Sequence, residues 1–95
     1  MENRERDVES WLKKKIEGMG GKAMKFVSPS NNGVPDRIAV LPGGRVWFIE
    51  LKKKGEEPTE LQKWQHKQLR KLGCNVAVVA GREQAEAWVK EVASL

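Results

Sequence analysis

The sequence predicts an α/β fold in which a mixed central sheet is flanked by helices, with elements in the order α-β-β-β-α-β-α. Three observations lead to this prediction. Apolar residues recur at helical spacing in three segments. Residues 33–52 have the pattern of two short strands joined by a Pro-Gly-Gly turn. A helical segment separates this hairpin from a last apolar strand, so that strand can lie parallel to a hairpin strand through a right-handed crossover.

Composition and length indicate one globular domain over residues 1–95. Of the 95 residues, 39% are hydrophobic and 33% are charged, which is typical of a folded chain rather than a disordered one. No apolar run approaches the roughly 20 residues of a membrane span. The charged N-terminus is unlike a secretory signal. We therefore expect a cytoplasmic protein without a membrane partner. The net charge of +5 favours an anionic partner such as nucleic acid.

The first helix is predicted over about residues 3–18, with glycines at its end and a buried stripe formed by Val8, Leu12 and Ile16. Glu5 and Glu9 fall on the same face as this stripe. An acid that points toward a core is costly unless a partner compensates for its charge. Either both acids benefit from the dipole and the solvent at the helix start, or at least one of them reaches a metal site.

A short strand over residues 22–27 and a polar loop over residues 28–33 precede the hairpin. If residues 42–44 form a three-residue loop, Asp36 lies opposite Glu50 on the paired strands. Facing side chains in such a pair have Cβ atoms about 5 Å apart. Lys52 points to the same face because side chains alternate along a strand. A loop of two or four residues would offset this register.

The second half of the chain supplies the remaining helices and the last strand. Thr59-Glu60-Leu61-Gln62 is a capping-box pattern that starts a helix reaching about residue 72. Its buried stripe is predicted to contain Leu61, Leu69 and Leu72, with Gln65 inside the stripe and Gln62 beside it. A buried strand over residues 75–80 and a helix over residues 82–92 follow, and that helix is expected to bury Ala85, Trp88, Val89 and Val92.

Asp36, Glu50 and Lys52 together have the composition of a site for phosphodiester hydrolysis. Two facing carboxylates repel each other, and a hard divalent cation such as Mg²⁺ or Mn²⁺ relieves the repulsion. The cation can polarise a phosphate oxygen and lower the pKa of a bound water. Lys52 can orient or deprotonate the attacking water and offset developing charge. A solvated cluster of charges at a sheet edge is the alternative interpretation. With one histidine in the chain, a His-based zinc site is not indicated.

These residues resemble the PD-(D/E)XK nuclease superfamily, in which Pro35-Asp36 matches the first signature and Glu50-Leu51-Lys52 the second. A larger set resembles the virus-type replication-repair nuclease (VRR-NUC) domain in its stand-alone, phage-type form. This set consists of GVPDR at residues 33–37, FIELK at residues 48–52, Gln62 and Leu72-Gly73. The resemblance implies a restriction-endonuclease-like core.

The resemblance also implies metal-dependent DNA cleavage and assigns roles to individual residues. Asp36, Glu50 and Leu51 would be metal ligands, together with an acid of the first helix. The Glu-x-x-Val phrasing favours Glu5 as that acid, whereas Glu9 is closer to the strands along the helix. The catalytic residues would be Asp36, Glu50, Lys52 and Gln62. The capping box is the alternative role for Gln62, and Gln65 is a second candidate for the glutamine of the site.

Stand-alone proteins of this kind resemble homodimeric endonucleases that resolve four-way (Holliday) junctions in DNA repair and recombination. A phage-encoded chain would act in the host-cell cytoplasm. Trp64 is the candidate for an exposed interface residue. The residues expected to contact DNA are Lys53, Lys54, Lys63, Lys67, Ser30 and Asn31. The alternatives are a nuclease of the same fold that cuts flaps, other branched DNA or duplex, and a DNA-binding module without catalytic activity.

Overall fold

The computed structural model describes residues 4–94. Its elements are α1 (Glu5–Gly18), β1 (Lys22–Lys25), β2 (Arg37–Leu41), β3 (Arg45–Lys52), α2 (Glu60–Lys71), β4 (Asn75–Ala80) and α3 (Arg82–Ala93). The order α-β-β-β-α-β-α is the predicted one. The first helix was expected to begin at about Asn3, which lies outside the described residues. None of the helices in residues 4–94 is long and apolar enough to cross a membrane.

The four strands form one mixed sheet in the order β1-β2-β3-β4. β2 pairs with β1 and β3 in antiparallel fashion, and β4 lies parallel to β3. In the hairpin, Leu41 faces Arg45 and Ile38 faces Phe48, which confirms the predicted register and three-residue turn. Gly43 and Gly44 have φ values of 83° and 75° in this turn, a backbone region that glycine occupies without steric cost.

Helices cover both faces of the sheet. α1 and α3 lie on one face and bury the main core, whose members are Val8, Leu12, Ile16, Ala39, Leu41, Ile49, Leu51, Val79, Ala85, Trp88 and Val92. α2 lies on the opposite face, where it packs mainly beside β4. The predicted buried stripes of α1 and α3 are confirmed, with Val89 partly buried at the edge of the core.

The predicted buried stripe of α2 is wrong in its main members. Leu61 is 49% exposed and Leu72 is 81% exposed, whereas His66 is only 2% exposed. The helix is rotated so that His66 faces the sheet, and Leu69 is partly buried. Leu61 packs instead on Gly33, where an added Cβ would lie 2.9 Å from Leu61 Cγ. The helix therefore presents an apolar face to solvent in the isolated chain.

Candidate active site

The functional residues lie along one edge of the sheet that is formed by strand ends rather than by an outer strand. This edge contains the start of β2, the ends of β1, β3 and β4, and the N-termini of all three described helices. Glu9 near the start of α1 contacts Arg37, the first residue of β2. Leu61 in the first turn of α2 packs on Gly33, and α3 follows Ala80 after one residue. Helix N-termini carry partial positive charge and attract anions such as phosphate. The three helix N-termini therefore contribute positive potential at this edge.

Asp36 lies directly before β2 at this edge. The ladder between β2 and β3 ends at the pair Arg37 and Ile49, one step before Asp36 and Glu50. The contact continues through a side chain, because Leu51 N–H donates to Asp36 Oδ1 at 3.3 Å. The Asp36 carbonyl accepts a hydrogen bond at 2.9 Å from the backbone N–H of Phe26, the residue that follows β1. These bonds hold the Asp36 carboxylate beside the Glu50-Leu51 segment.

Glu50 is a buried acid, only 3% exposed, on the face of β3 that α2 covers. Its Oε1 has no hydrogen-bond partner among residues 4–94. Burial, together with the charges of Asp36 and Glu5, raises the pKa of Glu50 to about 7, and the charges of Lys52 and Arg37 oppose this shift. A carboxylate with this pKa is costly to ionise without an additional cation. Glu50 is therefore suited to hold one.

Lys52 is the last residue of β3 and points to the same face as Glu50, because side chains alternate along the strand. Its charge stabilises the ionised form of Glu50 and helps to lower the pKa of His66. The side chain is partly buried. The Lys52 ammonium group is therefore close enough to the Glu50 carboxylate for its charge to act on it.

The two acids of α1 have different surroundings. Arg37 Nη2 donates to Glu9 Oε2, which compensates for the position of Glu9 on the core-facing side. The same guanidinium lies 3.9 Å from Asp36 Oδ2 through Nη1. Glu5 is partly buried, and its charge contributes to the raised pKa of Glu50. Glu9 is therefore engaged in an ion pair, and Glu5 is the α1 acid whose charge acts on Glu50.

The donor set fits a hard divalent cation that keeps part of its water shell. Within residues 4–94, no group of three His, Cys, Asp or Glu side chains converges into a complete metal cluster. The Glu50 carboxyl group, which is buried beside Asp36 and has a raised pKa, nevertheless indicates a missing positive partner. Mg²⁺ commonly takes one or two carboxylates and retains several waters. Asp36 and Glu50, with the Leu51 carbonyl, match that requirement.

Gln62 forms the predicted capping box of α2. Its backbone N–H donates to Thr59 Oγ1 at 3.2 Å, and its Oε1 accepts from Thr59 N–H at 2.9 Å. Gln65 Nε2 donates to the Asn32 carbonyl at 2.9 Å and thereby ties α2 to the loop before β2. In this structure Gln62 therefore caps the start of α2, and Gln65 holds α2 against the entrance loop.

The residues expected to contact DNA are exposed and lie mostly around this edge. Lys53 and Lys54 follow β3, and Lys63 lies in the first turns of α2 with Lys67 one turn further. Lys63 Nζ lies 3.4 Å from Glu60 Oε2 and 4.0 Å from Glu57 Oε1, and such exposed pairs are weak. Asn31 Nδ2 donates to Ser28 Oγ at 2.9 Å. The neighbouring Ser30 has a φ of 69°.

Two residues at the site had no predicted role. Arg37 lies between Glu9 and Asp36 and contacts both. Its position could have been predicted, because side chains alternate along a strand and the residue after Asp36 therefore points to the α1 face. His66 of α2 contacts Glu50 of β3, and the distance from His66 Nε2 to Glu50 Oε1 is 3.5 Å. Burial lowers the pKa of His66, and the charges of Arg70 and Lys52 lower it further, so the imidazole is neutral at pH 7.

Comparisons with known proteins agree with this fold, although no family model matches the chain. The chain is 42% identical over 80 residues to "Putative nuclease p44" of Acyrthosiphon pisum secondary endosymbiont phage 1, covering 84% of this chain and 86% of the relative. A solved structure described as "VRR_NUC domain" is similar with a TM-score of 0.86 and 33% identity, over 90% of this chain and 94% of that one. A "VRR_NUC domain protein" shares the fold, with a TM-score of 0.68 and 19% identity, over 90% and 84% of the two chains. The chain belongs to the VRR-NUC family.

Proposed function

We propose that the chain is a metal-dependent, structure-selective DNA endonuclease that hydrolyses phosphodiester bonds. The observation that carries this proposal is the meeting of Asp36, Glu50 and Lys52 at the sheet edge where the helix N-termini also lie. An acid pair that needs a cation, a lysine and positive helix ends suit a phosphodiester substrate. The name of the phage relative supports nuclease activity.

Asp36, Glu50 and the Leu51 carbonyl would hold Mg²⁺ or Mn²⁺. When bound, the cation supplies Lewis-acid polarisation of a phosphate oxygen and lowers the pKa of water. Asp36 is kept in place by the Leu51 N–H, so its carboxylate orientation is fixed before substrate arrives. Lys52 orients the attacking water and offsets the negative charge that develops on the phosphate. Gln62 lies in the first turn of α2 and would position substrate or water at the same edge.

We assign Glu5, rather than Glu9, as the α1 acid that supports the cation. Glu9 is already neutralised by Arg37. Glu5 has no ion pair among the described residues, and its charge acts on Glu50. An acid without a nearby cation is the one that gains most from binding a metal.

DNA would be held by its phosphates rather than read by its bases. Lys53, Lys54, Lys63 and Lys67 provide exposed positive charge near the site, and Ser30 and Asn31 provide polar groups on the entrance loop. Lysine and backbone contacts to phosphate fix the position of a protein on DNA without sequence readout. The substrate would therefore be selected by its shape.

The exposed face of α2 supports a homodimer. Leu61, Trp64 and Leu72 fall on one face of the helix by their spacing, and Trp64 is 54% exposed. This face has the apolar pattern of a buried stripe, but nothing in residues 4–94 covers it fully. A second copy would bury it, and two matched active sites suit the two symmetric cuts of a four-way junction. Action in the host-cell cytoplasm is consistent with the phage relative.

Trp64→Glu is expected to weaken dimerisation at least about 30-fold, because a buried interface tryptophan commonly contributes 2 kcal/mol or more. Trp64→Phe should retain most of the association, since it keeps an aromatic ring on the same face. Analytical ultracentrifugation over a concentration series would measure both dissociation constants. A wild-type chain that is monomeric at high concentration, or a Trp64→Glu variant that dimerises like wild type, would contradict the dimer.

Incubation with labelled four-way junction, flap and linear duplex of the same sequence tests the enzymatic proposal. We expect paired cuts in the junction with Mg²⁺ or Mn²⁺, slower cutting of duplex, and complete loss of cleavage with a chelator or in Asp36→Ala. Preferential cutting of the flap would favour the alternative substrate. Binding of DNA without cleavage by either metal would instead indicate a non-catalytic DNA-binding module.

A further inference from the structure

The contact between His66 and Glu50 is a buried polar pair that the proposed mechanism does not use. Both residues are almost fully buried, at 2% and 3% exposure. His66 Nε2 and Glu50 Oε1 lie 3.5 Å apart, and neither atom has a hydrogen-bond partner among residues 4–94. Buried polar atoms without partners are rare in folded proteins, and each one needs an explanation.

The geometry allows one useful arrangement of this pair. A neutral imidazole has one N–H donor and one acceptor nitrogen. If Nε2 were the acceptor, two lone pairs would face each other across the contact when Glu50 is ionised. If Nε2 carries the proton, it donates to Oε1, and a movement of about 0.6 Å brings the atoms to ordinary hydrogen-bond distance. Catalytic hydrogen bonds are often long before ligands bind and shorten afterwards.

We propose that His66 is a positioning residue for Glu50, in which Nε2–H donates to Oε1 and directs the second carboxylate oxygen toward the cation. The inference rests on the proposed metal-dependent function. A ligating carboxylate that is itself hydrogen-bonded is fixed in orientation, and loss of such an outer partner typically costs 10–100-fold in metal affinity or activity. α2 thereby contributes to the site through a residue that touches neither DNA nor metal.

The single histidine of the chain makes the tautomer directly observable. Long-range ¹H–¹⁵N NMR of labelled protein at pH 8, where Glu50 is mostly ionised, should show the proton on Nε2 without metal once any histidine tag has been removed. Addition of Mg²⁺ should shift the Nε2 resonance as the bond to Glu50 shortens. A proton on Nδ1, or an imidazole signal that does not respond to a saturating concentration of Mg²⁺, would overturn the proposal.

Two variants separate the donated hydrogen bond from simple packing. His66→Leu fills the site without a donor and is expected to weaken Mn²⁺ binding, measured by calorimetry without DNA, by about 10–100-fold. His66→Gln places an N–H donor near the position of Nε2 and should recover most of the affinity. Equal affinity in all three proteins, or equal loss in both variants, would contradict the role of the donor.

The same measurements distinguish failure of this inference from failure of the proposed function. Wild type that binds Mn²⁺ and cuts junction DNA, with His66→Leu doing both equally well, would remove the positioning role and leave the nuclease proposal intact. Wild type that neither binds Mn²⁺ nor cuts DNA would overturn both. Thermal unfolding of each variant reports whether it is folded, and the NMR measurement on wild type does not depend on any variant.

Discussion

Replacement of Lys52 with glutamine is expected to lower the single-turnover rate of DNA cleavage by about 10²–10⁴-fold, the usual range for loss of a proton-transfer or charge-stabilising group. Lys52 shares a strand face with Glu50, and its charge acts on that carboxylate. Its loss would remove the group that is proposed to orient water and to offset charge on the phosphate. Binding of junction DNA should change far less, because the neighbouring lysines are also proposed to contact phosphates.

Lys54→Gln is the matched control, since it removes the same charge from an exposed residue close to the end of β3. This variant should weaken DNA binding for all sequences and keep the cleavage rate of bound DNA. The slope of the logarithm of the binding constant against the logarithm of salt concentration should decrease in magnitude by about one. Rapid-quench cleavage under saturating enzyme and fluorescence anisotropy with a chelator separate rate from affinity. Equal rates for Lys52→Gln and wild type, or equal rate losses in both variants, would contradict the assignment of Lys52.

The hairpin could be predicted in detail because its determinants are local. The length of the Pro42-Gly43-Gly44 turn sets the register, and strict alternation then sets which side chains share a face. The pairs from Arg37 and Ile49 to Leu41 and Arg45 confirm it. The same reasoning brought Asp36 near Glu50, although the final contact is a side-chain bond to Leu51 rather than another ladder pair.

The rotation of α2 could not be predicted from periodicity. Its leucines have the spacing of a core stripe, but the protomer buries His66 and leaves Leu61 and Leu72 exposed. An apolar stripe indicates that a face avoids water, and it does not indicate whether the same chain or a second copy covers that face. The prediction was therefore right about an amphipathic helix and wrong about which residues the protomer buries.

The pairs that complete the site depend on tertiary packing. Arg37 forms an ion pair with Glu9, and His66 contacts Glu50. Both contacts depend on where α1 and α2 lie along the opposite faces of the sheet. Helical spacing placed Glu5 and Glu9 on one face but could not say which of them reaches the strand ends. That distinction depends on the position of α1 along the sheet, which cannot be predicted from local sequence patterns.

The raised pKa of Glu50 predicts that metal-free protein loses stability as pH rises. Below pH 4.5, Glu50 is protonated in the folded and unfolded states alike, and its ionisation costs nothing. Between pH 4.5 and about 7, the unfolded chain releases this proton while the folded chain retains it, so the free energy of unfolding falls. Above about pH 7 the full cost is present, and a pKa difference of this size corresponds to about 3 kcal/mol.

Glu50→Gln removes this titration while keeping the shape of the side chain. We expect the metal-free variant to match wild type near pH 4.5 and to be more stable by up to about 3 kcal/mol at pH 8. Urea unfolding in the presence of a chelator, at a fixed protein concentration, measures the difference at each pH. Glu57→Gln is the control, because Glu57 is exposed and its replacement should leave the pH dependence unchanged.

Addition of Mn²⁺ should reverse the order of stability of wild type and Glu50→Gln, and this reversal would link the fold to the proposed chemistry. If Glu50 is the ligand, Mn²⁺ competes with the proton of its carboxylate and should stabilise wild type more at pH 8 than at pH 6. Glu50→Gln, which lacks the anionic ligand, should gain little at either pH. If wild type and Glu50→Gln show the same pH profile without metal, the buried acid is not the source of the instability. If Mn²⁺ stabilises both equally, the cation binds elsewhere, and Glu50 is then not its ligand.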